Sequence, residues 1–237
     1  NVSLTGGTNS IAGATTFNQG GTLTLGDGAD ATDFVGGLVA TAPSSISAQG
    51  TVKADTGTGV LTLGDSDTGL TVAGDLLVGG TSTGAISLGD ATLADGVTLT
   101  AGTGAANQID LDAVAGTASG AVSNLTINTT GVATVAEAVG TDFGTVTITQ
   151  SGGTTFSSTL AAATLAITDT ADSQAVSLTG NVTLTTGLTT ANGGSDNYNV
   201  SLTGGTNSIA GATTFNQGGT LTLGDGADAT DFVGGLV

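Results

Sequence analysis

Short runs in which apolar and small polar residues alternate recur along the whole chain, and they constrain its fold more than any other feature. They read VSL at Val2, LTLGD at Leu23 and again at Leu61, ISA at Ile46, LTVAGD at Leu70 and ISLGD at Ile86. The series continues through VTLTAG at Val97, IDLD at Ile109, LTINTT at Leu125, VTIT at Val146, LAIT at Leu165, VSLTG at Val176, VTLTTG at Val182 and VSLTGG at Val200. Period-two alternation of Val, Ile, Leu and Thr, closed by Gly, Asn or Asp, predicts a strand followed by a tight turn. The stronger anchors are evenly spaced: Val2 to Leu23 is 21 residues, Leu23 to Ile46 is 23, Ile86 to Ile109 is 23 and Val176 to Val200 is 24. That period is too short for an independent globular module and fits one coil of a β-solenoid. Each coil would carry two or three short strands, with Gly supplying positive φ at corners and Asp or Asn bonding its own backbone there.

A second repeat lies above the first. Residues 1–39 equal residues 199–237 at every position, an offset of 198. Residues 1–198 are therefore expected to form one full unit and 199–237 the start of the next, in a continuous solenoid cut as a window from a longer chain. With nine or ten coils per unit at ~4.8 Å each, a unit would advance roughly 45 Å, and the two copies would stack in the same orientation.

Composition agrees with a narrow, all-β interior. There are 42 Gly but only 6 Phe, 1 Tyr and no Trp or Met, so the core must be built from Ala, Val, Leu and Ile. A pair of tandem β-sandwich domains of about 100 residues each is the competing architecture. Such sandwiches usually centre on Trp or Tyr and have recognisable linkers, whereas here Pro43 is the only proline and Tyr198 the only tyrosine. Helix is locally allowed at 132–139 and 160–166, and the flanking Gly and Thr limit it to two turns.

Charge and missing residue types exclude several function classes. Lys53 is the only base beside 19 acids, a formal charge of −18, which repels phosphate backbones and anionic membrane surfaces and argues against nucleic-acid binding. Charged residues are only 8% and mean hydropathy is +0.33, so the composition is not that of a disordered polyanion. No 18-residue apolar run is present, so no transmembrane helix is expected. The absence of Cys removes disulfides and thiolate metal sites.

The runs TTFNQGGTLTLGD at Thr15–Asp27 and GGTTFSSTLAAATLAIT at Gly152–Thr168 resemble the repeat regions of filamentous-haemagglutinin-like and other giant bacterial exoproteins. Members of that group are right-handed parallel β-helices, secreted and held at the cell surface. The resemblance implies an extracellular, bacterial surface location and a structural role.

Candidate sites are few. Without His or Cys there is no Ser-His or Cys-His pair, and without Arg no guanidinium clamp, so the chain is expected not to be an enzyme. Asp110 and Asp112 in IDLD would share a strand face at a separation that suits paired acid and base roles, as in sugar-cleaving β-helices. The loop DGADATD places carboxylates at Asp27, Asp30 and Asp33, with Asp225, Asp228 and Asp231 in its copy and a weaker echo at Asp65 and Asp67. Calcium takes six to eight oxygens and is the one candidate cofactor for that loop, although neither an EF-hand spacing nor the glycine-rich nonapeptide is present. The competing reading is that Asp simply occupies corners. Thr-x-Thr pairs at Thr22/Thr24, Thr98/Thr100, Thr145/Thr147/Thr149 and Thr183/Thr185 match the outward ranks of ice-binding solenoids, and also match Thr as an ordinary outward strand residue. Glycosylation sequons begin at Asn1, Asn124, Asn128, Asn181 and Asn199.

These readings converge on a non-catalytic segment of a giant secreted surface or fibre protein, a stiff rod or filament whose partners are its own repeats and neighbouring copies. An adhesin stalk carrying a terminal binding domain is the alternative, and an ice-binding or polysaccharide-acting β-helix stands behind both.

Overall fold

A computed structural model gives the fold and describes residues 1–192 and 197–237. The alternating runs are strands, and they pair with each other one coil apart. Val2 lies opposite Leu23, Leu23 opposite Ile46, Ile86 opposite Ile109, and Val176 opposite Val200. The spacings in the sequence are thus the ladder offsets themselves. The chain is an all-β solenoid of parallel strands in about 10 turns of roughly 23 residues.

Each coil visits three faces. The first carries Val2–Leu4, Thr22–Leu25, Ala91–Leu93 and Val114–Gly116; the second carries Thr8–Ile11, Ala31–Phe34, Thr98–Ala101, Ser123–Asn128 and Phe143–Gln150. Long strands such as Ser45–Lys53 and Leu70–Gly79 run over the corner between these faces and unite them into one 16-stranded sheet. The third face is a separate 10-stranded sheet whose ladder includes Leu38, Leu61, Ile86, Ile109 and Ala133. On every face aliphatic residues alternate inward, and the outward positions between them are mostly Thr or Ser, with exceptions such as Val39 and Leu77. Leu61, Ile86 and Ile109 are buried, while Thr62, Ser87 and Asp110 form the outward column beside them. Phe34, Phe156 and Tyr198 are the largest fully buried side chains among otherwise aliphatic neighbours. Two parallel sheets, of 16 and 10 strands, run through the coils of the described residues, which excludes the tandem-sandwich arrangement.

The corner between the first two faces shows why glycine is required. Gly50 sits at φ +81, and a Cβ there would lie 2.3 Å from the carbonyl oxygen of Asp30. The backbone can turn over the corner and touch the preceding coil only without a side chain.

Two expectations are corrected. Residues 132–139 and 160–166 are not helical: they hold the strand Ala133–Val135 and part of Leu160–Ile167. Ladder partners on both sides, with inward packing of alternate residues, outweigh the local propensity of their alanines.

The second correction concerns the long repeat. The copies keep their local structure but do not occupy the same faces. Val2–Leu4 lies on the first face, whereas its copy Val200–Leu202 continues the third-face ladder from Val176. Thr8–Ile11 lies on the second face, while its copy in Thr206–Ile209 pairs with Val182–Leu184 on the first. Counted along the ladders, the 198-residue unit spans eight and two-thirds coils rather than nine or ten. The copies are consequently turned by one face relative to each other. The aromatic contact within each copy is retained: Phe17 meets Phe34 edge-on at 6.2 Å, and Phe215 meets Phe232 at 6.1 Å.

Candidate functional site

The acidic loop follows Thr22–Leu25 and turns the chain from the first face to the second. Gly26 holds φ +77, and the Asp27 amide donates to Oδ2 of Asp30 at 2.9 Å, which closes the turn. The copy repeats it, with Asp225 donating to Asp228 at 2.8 Å. A side-chain hydrogen bond between the two carboxyls of the turn pushes Asp27 above the ordinary carboxylate range, as Asp228 does for Asp225. Asp33 is separate: it stands on Ala31–Phe34 with Lys53 as its register partner, and Lys53 is ion-paired to Asp55. That pair holds the Asp55 carboxyl low and the Lys53 ammonium high. Asp231 likewise lies on the strand Ala229–Phe232, away from its loop. Among the described residues no group of three acidic side chains is placed to hold a metal ion. Asp27 and Asp30 share the turn, which Asp30 closes, and Asp33 stands on the strand beyond it.

The IDLD carboxylates also part company. Asp110 is the outward residue of Ile109–Leu111, accepting from Nε2 of Gln108 at 2.8 Å, while Asp112 lies just past the strand at the corner to the first face. Partial burial first, then the charges of Asp90, Glu137, Asp65 and Asp110, push the Asp112 carboxyl up. Asp65, Asp90, Asp112 and Glu137 each follow one of four consecutive third-face strands, so they run up one corner as a column. A shallow groove of about 460 Å³ on the other corner lies between Ala29, Gln49, Gly50 and Asp75. It contains one carboxylate and no aromatic ring, so no acid–base pair faces into it.

The Thr pairs fall on two faces. On the second face Thr98/Thr100 stand in register with Asn124/Thr126, and Thr126 with Thr147, while a register shift beside Asn124 separates it from Thr145. Beyond them the rank is interrupted, with Leu77 beside Thr100 on one side and Ala166 beside Thr147 on the other. Thr22/Thr24 and Thr183 belong to first-face ladders.

No family model, curated protein or solved structure matches the chain. What the surface offers is therefore read from its own chemistry. Many of its polar side chains hold successive coils together. Asn1, Asn124, Asn181 and Asn199, all sequon asparagines, each accept through Oδ1 a backbone N–H one coil on: Thr22, Thr145, Thr206 and Thr220 at 2.8–3.0 Å. Asp75 does the same for Thr98 at 2.8 Å.

A second set, missed in the sequence, lies inside the corner that leads into the third face. Ser82 donates to the Gly59 carbonyl at 2.8 Å, Asn107 to Ser82 at 2.9 Å and Gly84 at 2.6 Å, and Thr129 to Asn107 at 2.6 Å. Each of these buried groups satisfies carbonyls of the coil before it. No signal in the chain marks them, because each has polar neighbours: Ser82 lies between Thr81 and Thr83, Asn107 precedes Gln108, and Thr129 lies between Asn128 and Thr130. Tyr198 closes the series near the repeat boundary: its hydroxyl donates to Ala191 at 2.7 Å, and burial pushes its pKa up to about 12. Among the described residues no helix is long and apolar enough to cross a membrane.

Proposed function

We propose that this chain is a non-catalytic structural segment of a secreted bacterial surface or fibre protein, in which 198-residue units continue one solenoid as a stiff rod. The observation that carries this reading is the unbroken ladder across the repeat boundary, Val176 to Val200 to Leu221. A unit that ended as a self-contained domain would need a capped edge there, since an open strand edge invites other strands. Instead the next copy enters as further coils. Polar side chains committed to coil-to-coil hydrogen bonds, and acids dispersed over corners, supply cohesion and solubility and leave no reactive constellation. Calcium has no assembled donor set in this reading, and an extracellular site rests on the resemblance to bacterial exoproteins.

Electron microscopy of tandem units and of native cell-surface material is the test. Straight, uniform rods that lengthen in proportion to the number of units are expected. Flexible strings of separate beads would refute the rod, and thin single rods each ending in a distinct globular domain would favour the adhesin stalk.

A further inference from the structure

We propose that the 198-residue unit acts as a three-fold screw element, so that a tandem array presents every side chain of the repeat on each of its three faces in turn. The inference rests on the array reading above and adds to it the symmetry with which such a rod meets neighbouring copies of itself.

The geometry follows from a mismatch between two periods. Along the ladders, Val2 to Val200 is eight full coils and two further faces. Thr15, on the third face through its partner Leu38, gives the same count, because its copy Thr213–Thr214 bridges Thr189 on the second face. Ala31 gives it again: it is on the second face, and its copy Ala229 is on the first, opposite Thr206. Three independent elements therefore agree on a shift of one face per repeat. Every strand pairing internal to the copies is retained, with Val2 to Leu23 matched by Val200 to Leu221. The shift is possible because all three faces accept the same pattern, an inward aliphatic residue beside an outward Thr or Ser, on strands 4.7–4.9 Å apart.

At ~4.8 Å per coil each unit advances about 42 Å while turning by one face, and identical residues return to the same face after three units, about 125 Å. The acidic turn illustrates the consequence. Asp27–Asp30 projects from the corner between the first and second faces, whereas Asp225–Asp228 projects from the corner between the third and first. A unit that spanned a whole number of coils would line these turns up on one side and favour contact in a single direction. The fractional count distributes them around the axis, so that a neighbouring rod of the same sequence meets equivalent residues from three sides. Lateral association then builds bundles rather than flat ribbons.

The chain has no cysteine, which makes cross-linking direct. Ser177 and Ser201 are register partners facing outward on the third face, and Thr183 and Ser208 are partners on the first. Neighbouring strands lie within the Cα separation that a disulfide spans. Oxidation of Ser177→Cys/Ser201→Cys and of Thr183→Cys/Ser208→Cys in the 237-residue chain should give near-complete intramolecular disulfides, while Thr183→Cys/Ser201→Cys should give none. The reverse pattern, which places Ser201 on the first face, would overturn the inference. A chain of four tandem units with one Ala29→Cys per unit, labelled with gold and imaged, extends the test. Labels that step by a third of a turn every ~42 Å are expected. Labels along one straight line would overturn the screw, and separately tumbling beads would overturn the array reading together with it, a case that the cross-linking result tells apart.

Discussion

Leu25 and Leu223 are the same residue of the repeat, yet Leu25 is 1% exposed and Leu223 is 41% exposed. Leu25 stands in register between Leu4 and Ala48, while Leu223 has only Leu202 beside it. One sequence is seen with a coil above it and without one. Leu25→Ala should therefore cost about 2–5 kcal/mol, the range for a buried leucine that leaves a cavity. Leu223→Ala should cost less, roughly half as much, because 41% of its surface is already in water. Urea unfolding of the two single variants measures both, and equal losses would mean that Leu223 is covered in solution.

Much of this architecture was legible in the chain, because the solenoid writes its period into the sequence. The intervals from Val2 to Leu23 and from Ile86 to Ile109 are ladder offsets, so locating alternating runs amounted to locating strand partners. Three-residue strands such as Ala91–Leu93 and Val114–Gly116 gave no such signal, since they hold too few branched residues to differ from turns. The phase of the long repeat was hidden for another reason. It depends on the summed lengths of all corners, and one face of error in nearly nine coils is smaller than the variation between coils. In the candidate acidic site the sequence shows spacing and not placement: Asp27 and Asp30 lie in a turn, while Asp33 stands on the following strand opposite Lys53. Asn107 and Thr129 were invisible as structural residues until the corner placed their side chains against the carbonyls of the coil before.

Gly50 tests the corner. Gly50→Ala would place a methyl group 2.3 Å from the Asp30 carbonyl at a backbone conformation that costs an L-residue about 1–2 kcal/mol by itself. A loss of at least ~2 kcal/mol is expected, together with lowered hydrogen-exchange protection of the Thr51 amide, which donates to Asp30 at 2.7 Å. Gly57 has positive φ and nothing within 4 Å of its added Cβ, so Gly57→Ala should lose only the conformational part. Matching losses for the two would show that the corner contact is irrelevant.

Chelation bears on the acidic turns. With Asp30 closing the turn and no three acids gathered among the described residues, EDTA should leave the melting temperature of the chain unchanged, and added calcium should raise it no more than magnesium does. A calcium-specific rise removed by Asp30→Asn would require a donor set that this geometry does not contain.

Asp112 sets the direction of the pH dependence. Its folded-state carboxyl is raised by partial burial and by the column of neighbouring acids, so the native state holds that proton more tightly than the unfolded chain does. Its contribution is therefore fully favourable below the ordinary Asp value near 3.8 and is lost as pH rises through the raised folded value. At pH 7 the residue is charged and unfavourable, so Asp112→Asn should raise the melting temperature there by at most a few degrees, because the site is largely solvated. The difference between variant and parent should close as pH falls toward the ordinary carboxylate range. Calorimetry across that window checks it, and a gap that widened on acidification would mean that Asp112 makes a favourable pairing in its charged form.

Asn124 tests whether the sequon asparagines are coil fasteners. Its Oδ1 accepts the Thr145 amide at 2.8 Å, the same service that Asp75 performs for Thr98. Asn124→Asp keeps an acceptor oxygen in place and removes the sequon, so it should change stability by less than about 0.5 kcal/mol apart from the added charge. Asn124→Ala removes the acceptor, leaves the Thr145 amide without its partner, and should cost about 1–2 kcal/mol. The Thr145 amide should then exchange with solvent faster in Asn124→Ala than in Asn124→Asp. If the two variants are equally destabilised, the amide is satisfied by water and the Asn124 side chain does not fasten the coils; equal stability with slow exchange in both would place the fastening in the backbone ladder alone.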